Sequence, residues 1–331
     1  MKKIVVNVID YTDHIDFELF CFEYDFVKTK IVERCVFKLT DENIETIKQE
    51  LLVKLAELEF NKASCVVGIY SPYFFTESLT MPKLTVVEEN KATNLKLDKL
   101  YKEFDKAYYS VRDKYVYNKT TRRHLIHVIR KSVYNKIIQK LSELPLSIEK
   151  VVFNPMALAN YIGQKHIFSK DKIGLFINFE RTSTSIVIVK GTSLIDYKVL
   201  DNGIMTLYEV LTGKKDKELE EMITSEAKIE VTNPSKIVKD FISKLENEIK
   251  NMSYLADGSI NEFYLHSEYE IDKTLKSIFE KSLQVTFKPS IKAITQNSVG
   301  IQAFSLLRYG YLSNMIPGFT RLPEFPVKVK W

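Results

Sequence analysis

The sequence predicts an α/β protein made of two like halves, each interrupted by one insertion. Three observations lead to this prediction. The order strand–strand–strand–helix–strand occurs twice, the first turns of the two copies lie about 170 residues apart, and the two insertions differ in character. Two like halves of this kind are expected to face each other across a cleft, with their first turns meeting there.

The first copy occupies residues 1–72. Apolar and alternating runs predict its four strands, at 3–10, 15–25, 30–39 and 63–70. Before the last of these strands, Thr40 is suited to cap a helix whose apolar residues recur at helical spacing from Ile44 to Leu58.

The second copy occupies residues 171–203 and 258–296. Its strands are predicted at 172–179, 185–190, 192–200 and 260–266. The turn after the first of these strands, at 180–184, is rich in hydroxyl side chains, and several protein families hold a phosphate at such a turn. The glycines that a phosphate loop normally needs are absent from it.

Two insertions and a tail complete the predicted domain organisation. The remaining segments are assigned as follows: 73–152 to an inserted α/β subdomain, 204–257 to a helical insertion, 153–170 with a helix at 297–310 to the completion of the first half, and 311–331 to a C-terminal tail.

Composition excludes several classes of protein. A net charge of +5 with scattered lysines does not indicate nucleic-acid binding, and no apolar run is long enough for a membrane span. His124 and His127 lie three apart on a predicted strand, so they face opposite sides and cannot chelate a metal together. Cys21, Cys35 and Cys65 are interpreted as buried reduced thiols, as in a cytoplasmic protein. No catalytic residue and no metal site is predicted.

The order and spacing of several segments resemble the actin-like superfamily, which includes sugar kinases, chaperone nucleotide domains and actin. The closer resemblance is to its FtsA/PilM branch and extends over almost the whole chain. The matching segments are SLTMP at 78–82, the strand–helix–strand at 124–162 ending in PMALA at 155–159, the hairpin at 173–203, and the helix at 297–310. The resemblance implies duplicated actin-like (ribonuclease H-like) halves, with insertions at the positions named 1C and 2B in that branch.

The resemblance also places three nucleotide-binding loops, and each departs from the family pattern. The family's first two loops carry an Asp that organises Mg²⁺ and a Gly that lets backbone N–H groups approach phosphate; its third carries a Gly-Gly pair. The corresponding residues here are Asp10 and Thr12, then Asn178, Glu180 and Thr184, then Ser267 and Glu268.

The turn at 180–184 is therefore interpreted as a former phosphate loop, with the Glu180 carboxylate directed at the phosphates, which it would repel. Catalysis and a bound cofactor are not expected, although residual binding of ATP or Mg²⁺ stays open. The alternatives are that Asp10 is a solvated turn acid and that Thr184 is an ordinary strand residue.

Several residues are candidates for partner binding. Lys236, Lys239 and Lys244 on the helical insertion could meet the acidic C-terminal peptide of FtsZ, as the resemblance to FtsA implies. Arg122 and Arg123 form a basic edge of the inserted subdomain, which is either a solvated face or a docking site for an acidic partner.

The tail offers a further candidate surface. Its prolines prevent a continuous helix, so the amphipathic membrane helix of FtsA cannot form. Apolar and basic residues alternate instead, at Phe325, Lys328, Lys330 and Trp331. This pattern suits a strand added to a sheet edge, a basic–aromatic contact with a membrane surface, or a strand docked on its own domain.

Two scaffold functions follow from the resemblance. The first is an FtsA-like, non-catalytic scaffold of bacterial cell division that links FtsZ to the membrane or to other division proteins. The second is a PilM-like cytoplasmic platform of a type IV pilus or secretion system, in which the cleft beside 73–152 binds a peptide of an inner-membrane protein. The Lys-, Ile- and Asn-rich composition suggests a reduced, AT-rich genome, which ranks the division role first. An active ATPase or kinase, an interaction domain of unrelated role, and self-association stay open.

Overall fold

The structure contains two five-stranded mixed sheets, one built around the strands of each predicted copy. The computed structural model describes residues 1–11, 14–24, 29–116, 119–164, 167–169, 172–214, 218, 236–255, 260–267, 273–288, 301–308 and 324–327. The strands are β1 (Lys2–Asp10), β2 (Ile15–Tyr24), β3 (Thr29–Leu39), β4 (Ser64–Tyr70), β5 (Phe75–Pro82), β6 (Tyr108–Val116), β7 (Thr121–Arg130), β8 (Ser147–Phe153), β9 (Ile173–Phe179), β10 (Thr184–Lys190), β11 (Ser193–Leu200), β12 (Glu262–Ser267) and β13 (Phe287–Lys288). The helices are α1 (Ile44–Glu57), α2 (Val86–Leu100), α3 (Phe104–Ala107), α4 (Lys131–Ser142), α5 (Asn154–Gln164), α6 (Ile204–Thr212), α7 (Lys236–Leu255), α8 (Lys273–Leu283) and α9 (Ile301–Leu307).

The first sheet has the strand order β3-β2-β1-β4-β8. Its central strand β1 is antiparallel to β2 and parallel to β4, and β4 is parallel to β8. The stretch from Ile4 to Ile9 is buried throughout. This burial on both faces explains why β1 reads as an almost continuous apolar run rather than as an alternation.

The second sheet has the order β11-β10-β9-β12-β13, with the same directions of pairing. β9 takes the place of β1, and β12 that of β4. The predicted duplication is confirmed. The chain forms two compact units, Met1–Tyr161 with Gln302–Trp331 and Ile162–Ile301, and each contains one of these sheets.

The insertion in the first unit is a separate three-stranded antiparallel sheet in the order β5-β7-β6. Helix α2 begins at a capping box, in which the Thr85 side chain accepts from the Glu88 backbone and the Glu88 side chain accepts from the Thr85 backbone. The helix covers the sheet and builds a small core of Leu79, Met81, Leu97, Phe104, Ile126 and Val128.

The predicted end of this insertion at residue 152 is wrong. β8 is hydrogen-bonded to β4, with Gly68 opposite Val152, so it is the fifth strand of the first sheet. The periodicity of the sequence identified the strand but carried no information about its partner. The first unit also ends at Tyr161, within α5, and not at residue 170 as predicted.

The start of α1 also differs from the prediction. Asn43 and not Thr40 occupies the N-cap position, and its side chain makes no hydrogen bond to the first turn of the helix. The Asn43 side chain accepts a hydrogen bond from the Thr40 backbone N–H (2.9 Å) and donates to the Lys38 carbonyl (2.8 Å), which closes the turn before the helix. The predicted apolar stripe is buried at Ile47, Leu51 and Leu55.

Two sequence-based expectations concern the whole chain. Cys21, Cys35 and Cys65 are buried free thiols, as predicted. Of the helices within the described residues, none combines the length and apolar character needed to span a lipid bilayer.

Helix α7 packs against β11 in the second unit and buries an acid on that strand. Only 8% of the Asp196 surface is exposed. Burial raises the pKa of Asp196 to about 6, and Glu248 on α7 adds to the shift, while the Tyr197 backbone N–H and Lys198 oppose it. The folded protein therefore binds a proton at Asp196 more tightly than the unfolded chain does.

Asp196→Asn is predicted to remove a pH dependence of stability. Because the pKa is about 6 when folded against an ordinary 3.8 when unfolded, the free energy of unfolding is greatest below the unfolded value and falls as the pH rises through 6. At pH 8 the variant should be more stable than the wild type by about 1–3 kcal/mol. Urea unfolding at a series of pH values measures this difference.

Asp201→Asn is the control, because Asp201 is exposed and its carboxylate is paired with Lys244. It should change the free energy of unfolding by only about 0.5 kcal/mol. Identical pH profiles for Asp196→Asn and the wild type would show the prediction to be wrong.

Candidate functional site

Asp10, the first predicted carboxylate, lies at the carboxyl end of β1 and accepts a hydrogen bond. The Ser71 hydroxyl, just past the end of β4, donates to Asp10 Oδ2 at 2.7 Å. Burial raises the pKa of Asp10, while Ser71 and the positive charges of Lys136 and Lys140 on α4 lower it. Asp10 is therefore not the solvated turn acid considered as the alternative. Thr12 lies outside the described residues.

Close packing surrounds this end of the first sheet. The Asn154 amide at the start of α5 donates to the Asn7 side-chain oxygen of β1, and both groups are buried. A Cβ on Gly68 of β4 would lie 2.3 Å from Asn154 Oδ1 and 2.5 Å from a methyl of Leu306 on α9. Gly68 thus leaves room for the Asn154 and Leu306 side chains, which a Cβ at this position would displace.

The second predicted phosphate hairpin forms its own closed hydrogen-bond network. The turn between β9 and β10 is closed by a bond from the Glu180 N–H to the Ser183 carbonyl, at 3.0 Å. Asn178 Nδ2 donates to Glu180 Oε1 at 3.0 Å, and Ser183 Oγ donates to Oε2 at 2.7 Å. Only 7% of the Glu180 surface is exposed. The expectation that this carboxylate is directed at phosphates is corrected, since both its oxygens accept bonds from its own hairpin.

A histidine that was not predicted extends this network onto β12. His266 Nδ1 lies 2.9 Å from Asn178 Oδ1. Because a carboxylate only accepts, Asn178 must present its NH₂ to Glu180 and its oxygen to His266, so Nδ1 carries the hydrogen. Burial lowers the pKa of His266 to about 4, which keeps the ring neutral at pH 7. The parallel pairing of β12 with β9, which sets Asn178 opposite His266, was the available signal for this contact.

The remaining hydrogen-bonding groups of the hairpin hold it against α6. Thr184 Oγ1 donates to the Asn202 carbonyl at 2.6 Å. The N–H groups of Ile204 and Met205, in the first turn of α6, donate to the carbonyls of Glu180 (2.9 Å) and Arg181 (3.2 Å). Free N–H groups at a helix start are what makes such an end attract anions, and here two of them are used inside the protein.

Gly203 makes this contact between turn and helix possible. A Cβ at this position would lie 2.3 Å from the Arg181 carbonyl oxygen and 2.6 Å from that of Glu180. The glycine is needed because backbone approaches backbone, which is the reason that phosphate loops need glycine. Here the group that approaches is the protein's own turn.

The third loop is only partly described. Ser267 is the last residue of β12 and lies opposite Phe179 in the parallel ladder. Glu268 lies outside the described residues. Of the seven predicted nucleotide-loop residues, the structure brings Asn178 and Glu180 into direct contact.

The predicted partner-binding residues on α7 are exposed. Lys236 and Lys239 both lie on the solvent side of the helix. Lys244 is committed to an ion pair with Asp201, at 2.9 Å, although half of its side chain is exposed. These residues keep the accessibility that a docking surface needs.

The two arginines of the predicted basic edge bond to other residues of the inserted subdomain. Arg122 Nη1 lies 2.6 Å from Oε1 of Glu89, a buried glutamate on α2. Arg123 is itself buried, and its Nε donates to the Ser78 hydroxyl on β5. Burial makes Arg123 inaccessible to a partner, whereas the Arg122 side chain is 30% exposed, so docking at Arg122 stays a prediction.

Phe325 in the tail is also buried in its own unit. Its N–H donates to the Val151 carbonyl of β8 at 2.9 Å, and only 3% of its surface is exposed. For Phe325, the alternative observed is docking on its own domain. Lys328, Lys330 and Trp331 lie outside the described residues.

The described ranges contain no cluster of three or more His, Cys, Asp or Glu side chains that could hold a metal ion. The hairpin network consists of the acidic Glu180 and the neutral side chains of Asn178, Ser183 and His266. These groups are already hydrogen-bonded to one another. Its chemistry suits a rigid joint between β9, β12 and α6.

Comparison with known proteins gives the fold. No protein-family model and no curated protein sequence matches the chain. Among solved structures, the PilM–PilN type IV pilus biogenesis complex contains a chain that matches with a TM-score of 0.64 and 13% identity, over 92% of this chain and 98% of that one. The chain has the actin-like fold.

Two further structures match at lower TM-scores. The cytoplasmic domain of EpsL, an inner-membrane component of the type II secretion system of Vibrio cholerae, matches at 8% identity and a TM-score of 0.43, over 86% of this chain and 97% of that one. The ethanolamine utilization protein EutJ of Carboxydothermus hydrogenoformans matches at 14% identity and a TM-score of 0.46, over 91% and 89% of the two chains.

Asn178→Asp is predicted to destabilise the hairpin. The change returns the carboxylate of the family pattern but sets it about 3 Å from the Glu180 carboxylate, where two like charges repel in a buried site. We expect a loss of about 1–3 kcal/mol at pH 7.5 and a smaller loss at pH 5, where the pair shares a proton. Thermal unfolding monitored by circular dichroism measures both.

The double variant Asn178→Asp/Glu180→Gln provides the control. The Gln amide can donate to the introduced carboxylate and still accept from Ser183, so at least half of the lost stability should return. If the single variant is as stable as the wild type at both pH values, the hydrogen-bond network described above is not the one that closes the turn.

Proposed function

We propose that this chain is a non-catalytic, cytoplasmic actin-fold scaffold that docks a short segment of a membrane-associated protein in a pilus or secretion assembly. The observation that supports it most is the likeness to the chain in the PilM–PilN complex, which extends over nearly the full length of both proteins. Shared architecture alone does not determine function, so the proposal needs a direct binding test.

The ranking of the two scaffold functions changes accordingly. The composition of the sequence placed the FtsA-like division role first. The whole-length likeness to a chain of a pilus biogenesis complex favours the PilM-like platform. Binding of the FtsZ C-terminal peptide becomes the alternative outcome of the test.

The hairpin network supports the absence of catalysis. A nucleotide-binding hairpin needs free donors and a free carboxylate for Mg²⁺. Here Asn178 replaces that carboxylate, and the Ser183 and Thr184 hydroxyls donate to protein acceptors. Two N–H groups of α6 do the same. Binding a phosphate would require these bonds to break.

The inserted subdomain is the proposed docking region. Tyr73 lies in the short link between β4 of the first sheet and β5 of the insertion, with half of its surface exposed. An exposed tyrosine at such a junction offers a large apolar area and a hydroxyl at little entropic cost, which favours peptide binding.

Fluorescence anisotropy with labelled peptides from the same organism tests the proposal. The cytoplasmic segment of its PilN-like protein should bind with saturable, micromolar affinity. Tyr73→Ala should weaken this binding by about tenfold or more. Leu95→Ala, which truncates an exposed apolar side chain on α2 of the same insertion, should leave it unchanged.

The FtsZ C-terminal peptide is the comparison probe. If it binds and the PilN-like segment does not, and if charge reversal at Lys236, Lys239 and Lys244 abolishes that binding, the division role replaces the proposed one. Binding of neither peptide would reject both scaffold readings.

An ATP hydrolysis assay separately tests the proposal that the chain is not catalytic. We expect no hydrolysis of millimolar Mg-ATP above the level of an Asp10→Ala variant, since the second hairpin's donors are internally bonded. Release of phosphate by the wild type that Asp10→Ala abolishes would show that the chain is an active ATPase.

A further inference from the structure

The segment Glu324–Val327 docks on the outer edge of β8. A single antiparallel bridge joins Phe325 to Val151, with one hydrogen bond of 2.9 Å from the Phe325 N–H. β8 has β4 on its other side, so this bridge lies at the edge of the first sheet. Addition of an extended segment to a sheet edge is a common mode of peptide recognition, in which backbone bonds give affinity and side-chain pockets give specificity.

The Phe325 ring occupies an aromatic pocket in the first unit. Its centroid lies 5.7 Å from that of Phe74, in the link before β5, and 5.3 Å from that of Tyr134 on α4. Phe74 in turn packs on Phe153 of β8, at 4.6 Å. The pocket therefore lies where the first sheet, α4 and the start of the insertion meet.

The residues on either side of Phe325 are recognised by polar groups. Lys150 Nζ on β8 lies 3.6 Å from Glu324 Oε1, and the Lys150 side chain is itself 7% exposed. The Tyr134 hydroxyl donates to the Pro326 carbonyl at 2.7 Å. Lys150 thus binds the acidic side chain, while Tyr134 contacts the aromatic ring and also binds the backbone carbonyl that follows it.

Glu324–Val327 belongs to the same chain as the site that it occupies, so it competes with a free peptide as an intramolecular ligand. Covalent attachment of this kind gives an effective concentration on the order of millimolar. The segment is held by two hydrogen bonds, one ion pair and one ring, and a free peptide that makes the same contacts can compete for them.

We propose that the β8 edge and its aromatic pocket form a docking site for an extended peptide in which an acidic residue precedes an aromatic residue. Glu324–Val327 is the resident copy of this peptide and competes with a partner segment of the same chemistry. The competing partner rests on the proposed scaffold function, whereas the site and its resident ligand do not.

A labelled peptide of residues 321–331, RLPEFPVKVKW, tests the site in the full-length chain. Phe325→Ala removes the resident anchor, so the peptide should bind this variant about tenfold or more tightly than it binds the wild type, measured by fluorescence anisotropy. The same peptide with alanine in place of its phenylalanine should bind at least about tenfold more weakly. Leu95→Ala, an exposed truncation in the same unit, should behave as the wild type.

A charge swap keeps the test decisive if Phe325→Ala fails to fold. Glu324→Lys leaves the ring in place and repels Lys150, so it should also open the site to the labelled peptide. Lys150→Glu, combined with Phe325→Ala or alone, should weaken binding of the natural peptide and favour the peptide that carries lysine at the glutamate position.

Two results would overturn the proposal. One is folded Phe325→Ala and Glu324→Lys variants that bind the peptide no better than the wild type, which would make the segment a fixed part of the core. The other is equal affinity for the natural peptide and its alanine version. Because the probe is this chain's own segment, either result leaves the PilN-like binding test unaffected.

Discussion

The first strand of each unit is paired on both sides, antiparallel to its hairpin partner and parallel to the fourth strand of its sheet. This double pairing buries the strand and limits where its polar side chains can bond. In the first unit Asp10 bonds to Ser71, just past β4. In the second, Asn178 bonds to His266 on β12. At both carboxyl ends the polar group of the central strand finds its partner on the parallel neighbour, because buried polar groups without a partner are costly.

In the second hairpin, the need to pair buried polar groups uses up the donors that could otherwise bind a ligand. The carboxyl ends of parallel strands are where α/β folds commonly place ligands. The Glu180 side chain fills its own turn, bonded to Asn178 and Ser183, and the turn carbonyls bond to the start of α6. The same groups that would meet a phosphate instead join three elements of the second unit. Rigidity there and phosphate binding are competing uses of one set of donors.

Local patterns in the sequence predicted the elements well and their long-range contacts less well. The strands of both sheets follow from apolar runs and turn residues, and both hairpins were located correctly. The partner of β8 could not be predicted, since a strand's periodicity is the same whichever sheet it joins. Likewise His266 lies 88 positions from Asn178, and only the strand order brings them together. Burial of Phe325 and Arg123 depends on contacts with distant segments, which composition and alternation do not report.

The first unit is discontinuous in the chain, and this bears on its synthesis. All five strands of its sheet lie within the first 153 residues, whereas Leu306 and Phe325, which pack against it, follow the whole of the second unit. During synthesis, residues 1–153 emerge before Leu306 and Phe325 are made, so the first sheet can form while the space beside Gly68 and the aromatic pocket of Phe74 are still open. Domains fold as units during translation, so the second unit can be complete before Leu306 and Phe325 pack against the first sheet. A chaperone that shields the β8 edge during this interval would protect the nascent chain from pairing with a neighbouring polypeptide.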